Sequence, residues 1–305
     1  MRTFLVAARE KSTSRAAEKL GISRATVQTQ IRRLQDKIGA QLIVSNTSGL
    51  TLTSHGEESA KSLSRVDRDI FALAREVATP RGVPQGIVRL GCPDGLALIF
   101  VTPALRSFSE KYPQIQVHLN ALSNYRSLRE NLTDCIMAFS PDEHKDVTNI
   151  QLGWLHLVPV ASRQYVDEFG LPTKENLSDH YFIETEKYSA PVPIWQGWQG
   201  AVKQGRARHF SDSSIIYAMM VKSGLGIGLL ASYVLQEPTA VHIDIGIHVR
   251  LPLYASFLTD RLEAKPVAII RDLLVSLFGP DERWFSKDLI VPVGLDPGFK
   301  VFHDL

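Results

Sequence analysis

From residue 23 to residue 38 the apolar positions Val27, Ile31, Leu34 and Ile38 recur at steps of four, three and four, which is one face of a helix. Arg24, Ala25, Gln28, Thr29 and Arg32 fall on the opposite face, with no long hydrophobe and no acid until Asp36. The pattern predicts a helix with a core side and a small, polar, basic outer side. Upstream, Phe4, Leu5 and Ala8 start a first helix, and Arg15 to Leu20 make a second. Ser12, Thr13 or Ser14 caps the second, since a hydroxyl there accepts a free backbone N–H. Gly21 ends it, Ser23 caps the third helix, and Gly39 stops the third. Two helices joined through Leu20, Gly21, Ile22 and Ser23, with Ala16 and Ala17 permitting close approach, read as a helix-turn-helix. A helical hairpin from an ordinary bundle is the plain alternative. "QLIVSNTSGLTLTSHG" alternates around Gly49 and predicts a short hairpin, or wing, running into a helix cap.

Residues 57–79 place Leu63, Val66, Ile70, Leu73 and Val77 at steps of three, four, three and four, with most charges off that seam. A single seam between charged faces predicts a partner helix, most simply the same helix of a second copy, with packing on its own domain the plain alternative. "TPRGVPQG" then breaks the periodicity with two prolines and two glycines and reads as a linker. Beyond it strands and helices alternate: "IVRLGC", "ALIFVTPALRSFSEKY", "QIQVHLNAL", "YRSLRENL", "CIMAF", and later "WLHLVPVAS", "HYFIE", "IYAMMVKSG", "IGLLAS" and "AVHIDI". The alternation predicts an α/β region with parallel sheets, long enough for two halves with a cleft between them.

Composition narrows the choice. With 305 residues the chain fits two or three domains. The net charge of +2 hides a division: residues 1–56 hold nine Lys/Arg against three Asp/Glu, an excess of +6, so the rest carries about −4. Basic character concentrated at one end is the footprint of a nucleic-acid-binding module joined to a near-neutral domain. Two cysteines, Cys92 and Cys135, make no disulfide framework, and no signal-peptide pattern or bilayer-length apolar run is present. These features predict a cytoplasmic protein.

The N-terminal residues resemble the LysR-type transcriptional regulators. The shared pattern is Phe4, Ser12, Ala16, Ala17, Leu20, Ser23, Val27, Gln30, Ile31, Leu34, Ile38, Gly39 and Leu42, followed by Leu52, Thr53 and Gly56. The second half is similar to the family's effector domain in "GIVRLG", "PALRSFSEKYPQIQVHL" and "MVKSGLGIGLLASYV", so the resemblance spans about residues 1–278. It implies an α/β multidomain chain. Residues 1–56 form a winged helix-turn-helix DNA-binding domain, 57–80 a dimerisation helix, 81–86 a hinge linker, and 87–278 an effector domain like a type 2 periplasmic binding protein. The two lobes of that domain cover about 87–160 with 252–278, and 161–251, and residues 279–305 are an extension whose expected forms are an extra strand, a clasp on a neighbouring subunit or a loose tail. The implied function is binding of an interrupted palindromic promoter site as a homodimer or homotetramer, in answer to a small effector in the cleft, with RNA polymerase a further candidate partner. The competing reading is a cytoplasmic solute-binding protein with a degenerate helix-turn-helix.

On the residues themselves, the candidate DNA contacts are Ser14, Ser23, Arg24, Ala25, Thr26, Gln28, Thr29, Arg32, Arg33 and Thr53. Arg24, Gln28 and Arg32 have the length to reach base edges or phosphates, and Ala25 or Thr29 suits a thymine methyl. The chain departs from the family where phenylalanine and arginine usually follow Leu42: Ile43 and Ser45 stand there, and the wing "SNTSGL" is uncharged. Each lost phosphate contact lowers the salt slope by roughly 0.9, so weaker backbone anchoring or an unusual operator is expected. Gln28 stands where the family typically has serine.

Ligands of open α/β sheets lie at the carboxyl ends of strands, which selects Cys92, Pro93, Asp94, Ser123, Asn124, Phe139, Ser140, Ser211, Asp212 and Ser213 as candidate effector contacts. Helix N-termini there favour a carboxylate or phosphate, and Asp94 argues against one; each of these junction residues reads equally as a helix cap. Trp195 and Trp198 either wall the cleft or pack in the core, and Cys92 is either a redox sensor or a buried inert thiol. No GxSxG, P-loop, GxGxxG after a strand or HExxH occurs, and the histidines lack metal-ligand spacing apart from His242 and His248. Neither catalysis nor a metal or organic cofactor is expected.

Overall fold

The computed structural model describes residues 1–46, 49–60, 62, 63, 66, 83–121, 128 and 133–292. The chain divides into two compact units, residues 1–86 with 130–132, and residues 87–129 with 133–305.

The N-terminal unit holds α1 (Arg2–Glu10), α2 (Thr13–Leu20), α3 (Arg24–Ile38) and a hairpin of β1 (Ile43–Asn46) with β2 (Gly49–Leu52). Its core is built from Phe4, Ala7, Ala16, Ala17, Val27, Ile31, Leu42 and Leu50. Ser12 caps α2 by accepting the Arg15 N–H, and Ser23 caps α3 by accepting the Thr26 N–H. Gly21 and Gly39 end these helices at φ of 64° and 75°, a region where a side chain is strained. The Gln35 side-chain carbonyl accepts the Leu42 and Ile43 N–H groups and so ties α3 to the hairpin. Ile38 departs from expectation: it is 43% exposed, because α3 runs one turn beyond the core that Val27 and Ile31 fill.

The second unit is organised on one sheet in the order β10-β6-β11-β5-β3-β4, with β9 also paired to β6. These strands are β3 (Gly86–Gly91), β4 (Ile115–Asn120), β5 (Cys135–Ala138), β6 (Val147–Ser162), β9 (Gly228–Ala231), β10 (Ala240–His242) and β11 (Val249–Leu258). A two-stranded sheet joins β7 (Tyr181–Glu184) to β8 (Arg206–Phe210). Helices α4 (Thr102–Lys111), α5 (Arg163–Phe169), α6 (Gln196–Gln204), α7 (Ser214–Lys222) and α8 (Lys265–Phe278) alternate with the strands. A helical turn Asp94–Leu96 and a π turn Ala97–Val101 lead into α4.

Parallel pairing is more limited than expected. Among the described registers it joins β3 to β5 and β7 to β8, while β6 pairs antiparallel with β9, β10 and β11. The cause is two long strands: β6 and β11 run side by side over ten register positions, from Val249 opposite Leu157 to Leu258 opposite Val147. The last eight residues of β6 are all buried, as in a strand covered on both faces.

Beyond α8 the described residues 279–292 fold back on their own unit. Phe285 is fully buried and Trp284 nearly so. The Trp154 N–H donates to the Phe285 carbonyl (2.9 Å), the His156 ring to the Ser286 carbonyl (2.9 Å), and the Arg250 guanidinium to the Lys287 carbonyl (3.1 Å). Phe285, Phe278 and Phe100 meet edge to face with centroids 4.9–5.6 Å apart.

Candidate functional site

Two surfaces carry chemistry. The first is the outer face of α3, where Arg24, Ala25, Gln28, Thr29, Arg32 and Arg33 are all exposed and Val27 and Ile31 are buried on the other side. Gln30 is turned away from that face in function, because the Thr3 hydroxyl bonds its side-chain carbonyl and fixes α3 to α1. The result is a rigid helix presenting three arginines, a glutamine and two small residues. Ser14 is exposed on α2 rather than capping it, since Ser12 does that.

Two hydroxyls in the candidate set are already engaged. Ser23 Oγ accepts the Thr26 N–H at 3.1 Å and lies 2.8 Å from Thr26 Oγ1. Thr53 Oγ1 donates to the Gln41 carbonyl at 2.6 Å and accepts the Gly56 N–H at 2.9 Å. Thr53 is therefore a cap that places the backbone. Gly56 belongs to the same junction, since a Cβ there would lie 1.9 Å from the Leu42 carbonyl oxygen.

Of the seam expected over residues 57–79, Leu63 and Val66 fall among the described residues. Leu63 is half-buried against the N-terminal core, so it serves its own unit, whereas Val66 is 45% exposed. Ile70, Leu73 and Val77 lie outside the described residues.

The second surface is internal to the larger unit: a cavity of about 460 Å³. Its lining includes Pro93 and Asp94 after β3, Phe139 after β5, Leu155, Leu157 and Leu251 of the paired strands β6 and β11, and Lys187, Tyr188, Trp195, Ser214, Tyr217 and Tyr233. Asp94 is the most heavily bonded of these lining side chains. Its carboxylate accepts the Gly95 N–H (2.9 Å), the Ser213 hydroxyl (3.0 Å) and the Ser214 N–H (3.0 Å), and stands 3.8 Å from Lys187 Nζ. Burial pushes its pKa up, but these hydrogen bonds and the Lys187 charge outweigh burial and hold the group below the usual carboxylate range. Lys187 also donates to Ser214 Oγ at 2.7 Å.

Tyr188, Tyr217 and Tyr233 are protonated phenols at any ordinary pH, because burial pushes all three up. Tyr188 donates to the Leu229 carbonyl (3.3 Å) and Tyr217 to the Ile183 carbonyl (3.2 Å). What they offer the cavity is mainly ring surface.

Of the strand-end residues, Pro93, Asp94, Phe139 and Asp212 line the cavity, and Ser123 and Asn124 lie outside the described residues. Cys92, Ser140, Ser211 and Ser213 are not among the lining residues. Cys92 has no exposed surface, Ser140 points to solvent away from the lining, and Ser211 and Ser213 bond to each other and to the α7 N-terminus. Trp195 walls the cavity, whereas Trp198 packs edge to face on Phe182 in the core. Lys187 and Tyr188 were missed although they follow strand β7, so the strand-end rule applied to "HYFIE" finds them. Tyr233 carries no comparable sequence signal.

Burial, and secondarily the Asp94 charge, pushes the Cys92 thiol far up, and burial does the same to Cys135, so both are poor thiolates. Cys92 Sγ lies 3.5 Å from Met137 Sδ. His248 meets not His242 but His156, at 2.9 Å with stacked rings. Among the described residues no three His, Cys, Asp or Glu stand together as metal ligands.

Residues 1–57 match the family described as "Bacterial regulatory helix-turn-helix protein, lysR family", and residues 81–278 match "LysR substrate binding domain". The HTH-type transcriptional regulator CrgA of Neisseria meningitidis serogroup C (strain 8013) is 25% identical over 280 residues, 90% of each chain. The solved structure of CrgA gives a TM-score of 0.57 at 23% identity, over 90% of this chain and 96% of that one. Full-length CbnR complexed with its target DNA gives 0.62 at 16% identity, over 90% and 95%. LysG from Corynebacterium glutamicum with bound effector Arg gives 0.56 at 17%, over 90% and 95%. A helix-turn-helix match joined to the ligand-domain match favours the regulator over the solute-binding reading.

Proposed function

Because the chain belongs to the LysR family of bacterial helix-turn-helix regulators, we propose that α3 reads the major groove of a promoter site and that the cavity at Asp94 holds the effector. The protein is a DNA-binding transcriptional regulator. The observation that carries the reading of its DNA contacts is the α3 face: Arg24, Gln28 and Arg32 exposed in one stripe, one helical turn apart, on a basic unit.

Arg24, Gln28 and Arg32 contact base edges or phosphates, Ala25 and Thr29 meet thymine methyls, and Ser14, Thr26 and Arg33 flank them on the backbone. Ser23 and Thr53 act through the caps they make, which fix the helix starts whose remaining first-turn N–H groups meet phosphates. Residues 57–80 pair two copies through Leu63, Val66, Ile70, Leu73 and Val77, so that two recognition helices meet the halves of an interrupted palindrome. Residues 81–86 act as hinge and 87–278 as effector domain, with RNA polymerase contacted at the promoter and no reaction catalysed. No helix among the described residues is long and apolar enough to cross a membrane, which supports work in the cytoplasm.

The test is selection of bound genomic fragments by the purified protein at moderate salt, repeated with the Arg24→Ala/Gln28→Ala double variant. A shared interrupted palindrome that the variant fails to enrich supports the reading, with a loss of about 1–3 kcal/mol for each bidentate base contact removed. Equal enrichment by both proteins overturns the role given to α3.

A further inference from the structure

The cavity is built to refuse the ligand that helix N-termini ordinarily attract. Three groups around Asp94 are suited to an anion: the Ser214 N–H in the first turn of α7, the Ser213 hydroxyl, and the Lys187 ammonium. All three are turned on Asp94, at 3.0, 3.0 and 3.8 Å, and Lys187 is held in addition by Ser214 Oγ. The chain thus supplies its own carboxylate where an incoming one would bind. Among the described lining residues the charges are Asp94, Asp212 and Lys187, two negative against one positive. An anionic ligand must displace Asp94 from its partners or sit beside it without any, and neither is favourable in a partly desolvated site. A cation fares little better at Asp94, whose oxygens already accept three hydrogen bonds and face Lys187.

The remaining wall is apolar and aromatic. Leu155, Leu157 and Leu251 line it, and Trp195, Tyr188 and Tyr233 present ring surface. Trp195 and Tyr188 lie with centroids 4.7 Å apart. A volume of about 460 Å³ is in the range of sites for small organic molecules. Resting on the reading of this cavity as the effector site, we infer that its ligand is an uncharged, largely apolar molecule carrying an aromatic ring, and that Asp94 is the residue that excludes carboxylates.

The test uses the full chain and three probes of one shape, benzyl alcohol, benzoate and benzylamine, titrated calorimetrically. The wild type is expected to bind benzyl alcohol at least about tenfold more tightly than either charged probe. Asp94→Ser frees Lys187 and the α7 amide, so benzoate gains and the ratio narrows or reverses; Asp94→Asn, which keeps the side-chain shape, shifts it the same way. Ala218→Trp fills the cavity and abolishes binding of all three. Preference of the wild type for benzoate or benzylamine overturns the inference. So do an unchanged ratio in both Asp94 variants, binding that survives Ala218→Trp, or no binding of any probe up to its solubility. Footprints on the selected promoter site, with and without benzyl alcohol, separate this from the broader reading: an intact binding order with no change in any footprint leaves the ligand class standing and removes the effector role.

Discussion

At Gly153 one methyl group decides whether the C-terminal segment stays seated. A Cβ there would lie 2.5 Å from the Phe285 carbonyl oxygen and 2.7 Å from that of Phe278, both backbone atoms that no side-chain rotation can move. Gly153→Ala is therefore expected to destabilise the larger unit by about 1–3 kcal/mol and to expose residues 279–292 to protease, as read by denaturant unfolding and limited proteolysis. Leu63 makes a second case. Because it packs on the N-terminal core, Leu63→Asp is expected to lower the stability of that unit by on the order of 2 kcal/mol, and not only to separate dimers. Circular dichroism melts run beside sedimentation distinguish the two effects. The 3.6-residue spacing made Val27 and Ile31 legible as core, since periodicity reports which face is buried. It says nothing about where the neighbouring elements stop, which is why Ile38 reads as core and is found exposed. Asp94 and Phe139 were legible from the strand-end rule, whereas Tyr233 reaches the cavity through tertiary packing that no local pattern encodes.

At the scale of elements, the hairpin of β1 and β2 carries no basic residue between Ile43 and Leu52, so it adds no charge to the grip on phosphates. Restoring one cation with Ser45→Arg is expected to steepen the dependence of log Kobs on log salt by about 0.9, measured by fluorescence anisotropy on the selected promoter site. A slope that does not change would mean that position 45 lies away from the backbone. The helices of the N-terminal unit were readable because each has its own punctuation: Ser12 and Ser23 at the starts, Gly21 and Gly39 at the ends. Strand β11 was not, and its chemistry explains why. Pro252 interrupts it and argues against a strand, yet it sits beyond the stretch paired with β5, where β11 has β6 alone as neighbour. The antiparallel course of β6 and β11 was equally hidden, since pairing direction depends on connections far apart in sequence.

For the whole molecule, the segment after α8 links acidity to integrity. The His156 Nε2–H donates to a carbonyl, which leaves its Nδ1 to accept from His248 Nε2–H. Burial first, then the nearby His156 and Arg250, hold the His248 pKa below 6.5. A base with a depressed folded pKa binds its proton more readily unfolded, so the stability it contributes is present above about pH 6.5 and is lost as the pH falls through the lower folded value. Proteolysis of the 279–292 segment is expected to quicken between neutral and mildly acidic pH, and to lose much of that dependence in His248→Asn. The same segment sets an order of manufacture. Phe285 follows every other residue of the main core in the chain, so a ribosome making this protein finishes the DNA-binding unit long before the ligand domain can close its interior. Until its last stretch emerges, the nascent chain holds a folded reader of DNA joined to a sensor that is still open at Gly153.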